Sequence, residues 1–169
     1  MSAEQKKGSG EKLIGTNPLA HVNYAIEEFV EAGLVLQGTE AKSLRNQAPN
    51  LRDAFVEVRR RGLGFEAWLL NAHIGPYTHG NIWNHEAMRP RKLLLHQHQI
   101  NRMQGAITQK GLSVIPIRMY FKQGRAKIEL GLGKGKKSYD KRETLKKKDA
   151  QRDMEIARAA KSKGSRYEE

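Results

Sequence analysis

Apolar and polar positions alternate most plainly over residues 113–133. Ile115, Ile117, Met119 and Phe121 fall on one parity, and Arg118, Tyr120 and Lys122 on the other. After the turn Lys122-Gln123-Gly124-Arg125, Ala126, Ile128, Leu130 and Leu132 alternate with Lys127 and Glu129. A period of two predicts a strand pair with one face buried, and Pro116 inside it marks an edge or a bulge. A second pair is predicted where Ala54, Val56 and Val58 alternate with Phe55, Glu57 and Arg59. Arg60-Arg61-Gly62-Leu63-Gly64 turns it, and Phe65, Ala67 and Leu69 continue the pairing face. Residues 23–36 read as a further strand with bulky residues on both parities, broken at Ala32-Gly33.

Helical spacing is rarer. Thr39 is a predicted N-cap for the short run Glu40-Ala41-Lys42-Ser43-Leu44-Arg45. From about His96, Ile100, Met103 and Ile107 share one helix face, and Gly111 stops the helix. Residues 71–91 are polar and punctuated by Gly and Pro, a long loop of the kind that carries function. About six strands, one good helix and short turns predict a mainly β fold. The architecture expected is a small antiparallel barrel with two or three flanking helices and a basic C-terminal tail.

Charge divides the 169-residue chain into three. Residues 1–16 form an expected flexible head with a net charge of +1, and residues 17–133 an expected barrel domain with +6. Residues 134–169 carry +6 on less than a third of that length, and only nine of these 36 are apolar. That tail cannot build a core, and its stripe of Leu145, Ala150, Met154 and Ala157 is thin; it reads as coil or fraying helix when free, ordering on a polyanion. The overall charge of +13 points to nucleic acid, since neutralised phosphates release counterions. No segment joins basic residues to a broad apolar face, so a membrane partner is not expected. No stretch is apolar enough to span a bilayer or serve as a signal peptide, which makes a soluble, cytoplasmic protein the expectation.

Enzyme signatures nearly match and fail. Gly131-Leu132-Gly133-Lys134-Gly135-Lys136-Lys137-Ser138 lacks the Walker spacing, because Leu130 and Lys137 stand where Gly and Ser or Thr are needed. Its glycines and lysines still suit close approach to phosphates. His85-Glu86-Ala87-Met88-Arg89 begins like a zinc-protease helix but has Arg89 in place of the second His. With no cysteine and no carboxylate cluster, the six histidines predict neither a metal site nor a cofactor. Arg118, Tyr120 and Lys127 share a matching parity and are expected to bind RNA by charge and stacking. Glu27, Glu28 and Glu31 read as the solvated side of a strand. Glu40, beside Lys42 and Arg45, has two readings: it balances charge and caps a helix, or it accepts hydrogen bonds from bases and riboses.

Six blocks in order carry a resemblance. They are residues 38–45 (GTEAKSLR), 50–53 (NLRD), 72–77 (AHIGPY), 89–96 (RPRKLLLH), 120–122 (YFK) and 134–142 (KGKKSYDKR). Together, across residues 17–158, the chain resembles the bacterial SsrA-binding protein family, also called small protein B. The resemblance implies an oligonucleotide-binding-type barrel that binds transfer-messenger RNA and serves ribosome rescue as a non-enzymatic adaptor. It implies RNA contacts at Glu40, Leu94, His96 and Lys127, to which the basic outer faces add Lys42, Arg118 and Tyr120. It implies ribosome contacts, with 16S rRNA, at Gly135, Lys136, Lys137, Asp140, Lys141 and Arg142. Elongation factor Tu and alanyl-tRNA synthetase are expected only indirectly, through the RNA, and the chain is expected to be a monomer. Three departures stand out: Val22 occupies a place where many members carry His, with His21 one earlier; the hairpin around Arg59–Phe65 is a few residues longer than usual; and Glu129 falls where some members are basic. The competing readings are a ribosomal or ribosome-assembly protein that holds rRNA stably, and an RNA-modifying or nucleolytic enzyme, for which no catalytic constellation is visible.

Overall fold

The computed structural model describes residues 10–164, with side chains through residue 160. It divides into two units, a body ending at Gly135 and a tail from Lys136. The body holds seven strands: β1 (Glu11–Thr16), β2 (Tyr24–Leu34), β3 (Phe55–Arg61), β4 (Gly64–Leu70), β5 (Arg91–Leu94), β6 (Ser113–Lys122) and β7 (Arg125–Gly135). Its helices are α1 (Ala20–Asn23), α2 (Gly38–Asn46) and α3 (Gln97–Lys110), with a 3₁₀ turn at Asn81–Trp83 in the long loop.

All pairings between strands are antiparallel, in the order β1-β6-β3-β4-β5-β2-β7, and β7 pairs back onto β6. Six strands therefore follow one another in a ring, and β1 pairs with the Arg118–Lys122 half of β6 along the edge that β7 leaves free. The mainly β, antiparallel expectation holds. The ring is uneven: β2 and β7 pair over most of their length, whereas β3 meets β6 at the single pair Val56↔Val114. Inside lies one large apolar cluster that includes Ala67, Leu69, Leu93, Met103, Ile128 and Leu130. The α3 face Ile100, Met103 and Ile107 packs against it as its spacing predicts, and Gly111 ends the helix at φ 64°, a conformation open to glycine without penalty.

Three expectations need correction. The flexible head gives way at Glu11, because residues 11–16 pair with β6 from Glu11↔Lys122 to Thr16↔Arg118 and Ile14 packs on the core; residues 1–9 lie outside the described residues. The single apolar face assigned to Ile115, Ile117, Met119 and Phe121 is in fact two. A register shift between Pro116 and Arg118 inserts one residue, the bulge that Pro116 signals. Val114 and Met119 thus enter the main core, while Ile115 and Ile117 join Ala20 in a second, smaller cluster. Lastly, the N-cap of α2 is Gln37 rather than Thr39; the Gln37 backbone N–H donates to Glu40 Oε2 at 2.7 Å.

The glycines at 131 and 133 have a packing reason rather than a phosphate-binding one. Both lie in β7, where a Cβ on Gly131 would meet Ile117 Cδ1 at 2.8 Å and one on Gly133 would meet the Ala25 carbonyl oxygen at 2.5 Å. Of the three glycines in residues 131–138, Gly135 alone has nothing within 4 Å of such a Cβ.

The tail forms one helix, α4 (Ser138–Gly164). Its apolar side chains stay in solvent, with Leu145 44%, Met154 58% and Ile156 61% exposed. Both apolar clusters are composed of body residues.

Candidate nucleic-acid interface

Register sets the site. Tyr120 on β6 faces Lys127 on β7, Lys127 faces Gly33 on β2, and Gly33 faces Leu94 on β5. Neighbours across antiparallel strands share a face, so this row runs over the outside of the sheet while Leu93 and Ile128 point into the core. A Cβ on Gly33 would lie 3.1 Å from Leu94 Cβ, so the glycine makes room for Leu94 to lie across the strand. Leu94 is 56% and Phe29 52% exposed, a costly display of apolar surface unless something covers it.

Beside the row opens a cleft of about 700 Å³ lined by Phe29, Glu31, Leu94, His96, Arg102 and Lys127 among others. His96 enters it as the N-cap of α3, and its ring stacks on His98 at 5.6 Å. Leu94 and His96, two residues apart at the end of β5, thus meet Lys127 of the distant β7 on one surface. Past Gly33, Leu94 and Lys127 the surface continues as a groove of about 300 Å³ that reaches Arg45 on α2 and Arg125 on β7. Exposed apolar and imidazole groups set among Arg and Lys suit a base laid flat with its phosphates on the cations.

Two of the expected contact residues are already engaged. Tyr120 is 2% exposed, its hydroxyl donates to Glu31, and Arg118 stacks on its ring at 4.8 Å. Burial and the bond to Glu31 push the phenol well above its ordinary pKa, so it stays a donor at neutral pH. A buried ring cannot receive a base, which corrects the stacking expected of Tyr120. Arg118 donates to Glu129 at 3.0 Å and lies 3.8 Å from Glu11. Glu31 organises this surface: besides Tyr120 it holds Lys122 at 3.4 Å and Lys127 at 3.9 Å. The bond from Tyr120, with the two lysines, outweighs its partial burial and holds the Glu31 carboxyl below the usual carboxylate range.

Glu40 does not belong to the cleft. It is wholly buried, with Arg89 Nε and Arg91 Nε donating to Oε1 at 2.8 and 2.7 Å and Arg89 Nη2 donating to Oε2 at 2.5 Å. Burial pushes its pKa up, but the two guanidinium groups and the Gln37 N–H outweigh that and hold it low. The fully buried Arg91 also donates to the carbonyls of Ala72 at 2.7 Å and Ala87 at 3.0 Å. Nearby, Ser43 Oγ donates to the Gly75 carbonyl at 2.6 Å, and His85 bridges Thr39 Oγ1 and the Ile74 carbonyl at 3.0 Å each. The carboxylate therefore clasps α2 to the long loop and offers nothing to a base in this structure. Its partners are Arg89 and Arg91 rather than the adjacent Lys42 and Arg45. Lys42 lies on the exposed side of α2, 5.6 Å from the centre of the Tyr77 ring.

The expected ribosome-facing residues run from the end of β7 into α4. Lys136 Nζ lies 3.1 Å from Thr144 Oγ1, and the Lys141 N–H donates to the Lys137 carbonyl at 3.1 Å. Asp140 sits in the first turn of α4, where a carboxylate complements the helix dipole. That gives a local reason for an acid inside a basic run. Among the described residues no three His, Asp or Glu side chains converge as a metal would require.

A family model described as SmpB protein matches residues 14–161. The chain belongs to the SmpB family. It is 57% identical over 154 residues to the SsrA-binding protein of Pelobacter propionicus, covering 91% of this chain and 97% of that one. To the SsrA-binding protein of Bacillus subtilis it is 49% identical over 158 residues, covering 94% and 98%. Among solved structures it matches a chain described under "tmRNA-SmpB: a journey to the center of the bacterial ribosome", with a TM-score of 0.61, 39% identity, and coverage of 78% of this chain and 93% of that one.

Sequence reading missed Glu31, Arg45, Arg102 and Arg125 at this surface. Glu31 does lie on the solvated side of its strand, but its parity also puts it opposite Glu129 and in reach of Lys127. The signal available was strand pairing: once β2 is laid against β7, two carboxylates facing each other call for cations on both sides. Arg102 follows from α3, since it projects beside Met103 at the helix edge nearest β2 and pairs with Glu28 at 3.1 Å.

Proposed function

We propose that this chain is a non-enzymatic RNA-binding adaptor, which binds the tRNA-like domain of transfer-messenger RNA and delivers it to stalled ribosomes for trans-translation. The observation that carries the reading is the cleft, where Leu94, His96 and Lys127 are gathered beside Phe29 and Arg102. Membership of the SmpB family supports it, as do relatives named for SsrA binding and a structural neighbour described with transfer-messenger RNA on the bacterial ribosome. In this reading the strand ring is a barrel of oligonucleotide-binding type, and its outer face takes the RNA. Lys127, Arg125 and Arg45 neutralise phosphates, while Leu94 and His96 lie against bases or riboses.

The tail serves the second partner. Gly135, Lys136, Lys137, Asp140, Lys141 and Arg142 meet 16S rRNA, and residues 138–164 hold their helix there while fraying in free solution. The chain acts as a cytoplasmic monomer. Elongation factor Tu and alanyl-tRNA synthetase meet the complex through the RNA. No helix among the described residues is long and apolar enough to cross a membrane.

RNA recovered with the tagged chain tests this reading. One structured RNA with a tRNA-like end, present alongside a subset of ribosomes, is the expected result. Stoichiometric rRNA in every ribosome with no such RNA would instead favour a ribosomal or assembly protein, and RNA turnover by the purified chain alone would favour an enzyme.

A further inference from the structure

The hairpin of β3 and β4 carries three consecutive arginines, and the structure treats them differently. Arg59 pairs with Glu57 at 2.6 Å and lies over the Trp68 ring at 5.5 Å. Arg61 pairs with Glu66 at 2.8 Å, and Lys92 holds the same carboxylate at 2.5 Å. Arg60 is exposed and has no ion-pair partner among the described residues. It faces Phe65 across the strands, on the parity of Val56 and Val58, and so extends the core-facing side of the hairpin beyond the part that is covered. Beyond it, at the turn, Leu63 is 105% exposed, the most exposed of the large apolar side chains described.

This tip adjoins the RNA cleft. Gln97, between His96 and His98, donates from Nε2 to the Phe65 carbonyl at 3.3 Å, and a Cβ on Gly64 would sit 3.5 Å from that same nitrogen. The turn end of the hairpin therefore rests on the N-terminal end of α3, where the cleft's two histidines stack. An unpaired cation and an apolar tip, continuous with a surface that takes RNA, match the chemistry of an RNA backbone. Arg60 supplies a phosphate contact, and Leu63 supplies apolar contact to the sugars of the wide, shallow groove of an A-form duplex. A protein partner fits less well, because the tip offers a single apolar side chain beside one unpaired cation, short of the apolar and aromatic centre that a protein interface needs.

We infer that Arg60 and Leu63 form a second RNA contact, in which the hairpin tip grips duplex RNA beyond the cleft. The inference rests on the RNA-binding reading of the cleft. Both side chains are exposed and make no core contact, so Arg60→Ala and Leu63→Ser leave the fold intact. The full-length chain is titrated with a transcript of the tRNA-like domain of transfer-messenger RNA at several salt concentrations, beside Lys127→Ala. Arg60→Ala is expected to weaken binding several-fold and to shallow the log–log salt slope by about one unit. Leu63→Ser is expected to weaken binding about threefold with the slope unchanged, as loss of an apolar contact should. Wild-type affinity and slope in both variants, next to a weakened Lys127→Ala, overturn the hairpin contact and leave the cleft in place. A wild-type chain that fails to hold the transcript overturns both.

Discussion

Glu40 and Glu31 are carboxylates with two cations each, and they differ in everything that decides what a carboxylate does. Glu40 is fully buried, 2.5–2.8 Å from the nitrogens of Arg89 and Arg91, and its side chain has no access to solvent. Glu31 lies on the outer sheet face with its side chain 40% exposed, and its lysine partners stand off at 3.4 and 3.9 Å. Arginine forks around a buried acid make a rigid joint, whereas lysines are mobile point charges that phosphates can recruit. The same charge pattern thus builds the scaffold in one place and, in the function proposed above, a binding surface in the other. Burial sorts them, not the identity of the neighbours in sequence.

The largest effect is expected where the joint is broken. Glu40→Gln leaves the buried Arg91 charge uncompensated, at a cost of about 3–5 kcal/mol. In a chain of this length that lowers the thermal midpoint by on the order of 10 °C, read by circular dichroism. The pH dependence has a definite sign. Because the folded carboxyl titrates below its ordinary value, its contribution is complete above about pH 4.3, the unfolded value, and fades as pH falls through the lower folded one. The wild-type chain should therefore lose its advantage over Glu40→Gln in acid, and an equal midpoint at neutral pH would dissolve the contrast between the two carboxylates.

On the exposed side, effects should move from stability to RNA. Lys127→Ala is expected to weaken binding of the tRNA-like domain about tenfold and to reduce the salt slope by about one unit, with no change in the unfolding midpoint. A salt slope unchanged by the substitution would remove Lys127 from the phosphate path. The smallest effect belongs to Glu31→Gln, which should shift stability by less than ~1 kcal/mol because its ion pairs are exposed. It should nevertheless lower the ratio of cognate to unrelated duplex binding a few-fold, since Tyr120 and Lys127 lose their common anchor. Tighter binding to both RNAs alike would make Glu31 a mere counter-charge.

Much of the scaffold was legible because it obeys single-element rules. The parity of Ile128, Leu130 and Leu132, the face of Ile100 and Met103, and the stop at Gly111 each depend on neighbours close in sequence. The bulge at Pro116 was announced by the proline, but its effect on Ile115 and Ile117 depends on which side β1 and α1 cover. β1 itself was hidden because six residues containing Gly15 carry little periodicity, and pairing with the edge of β6 supplies what propensity lacks. At the site, Leu94 and His96 came from resemblance and Lys127 from both resemblance and strand parity, and the three do converge. The helix-capping reading of Glu40 holds, whereas its RNA contact and the stacking of Tyr120 do not fit, because burial is a property of the assembled sheet and loop. A carboxylate whose partners lie 49 and 51 residues away cannot be told from a surface acid by inspecting its own helix.

The division of labour between body and tail is tested most directly by a chain ending at Gly135, titrated with the tRNA-like domain and with an unrelated duplex, beside the full-length protein. Both apolar clusters lie before the cut, so the truncated chain should fold. It is expected to keep the ratio of cognate to unrelated binding, losing only the salt-sensitive affinity common to both RNAs, and to fail in tagging stalled chains. Loss of that ratio on truncation, with the fold intact, would place recognition in the tail and contradict the assignment of the cleft.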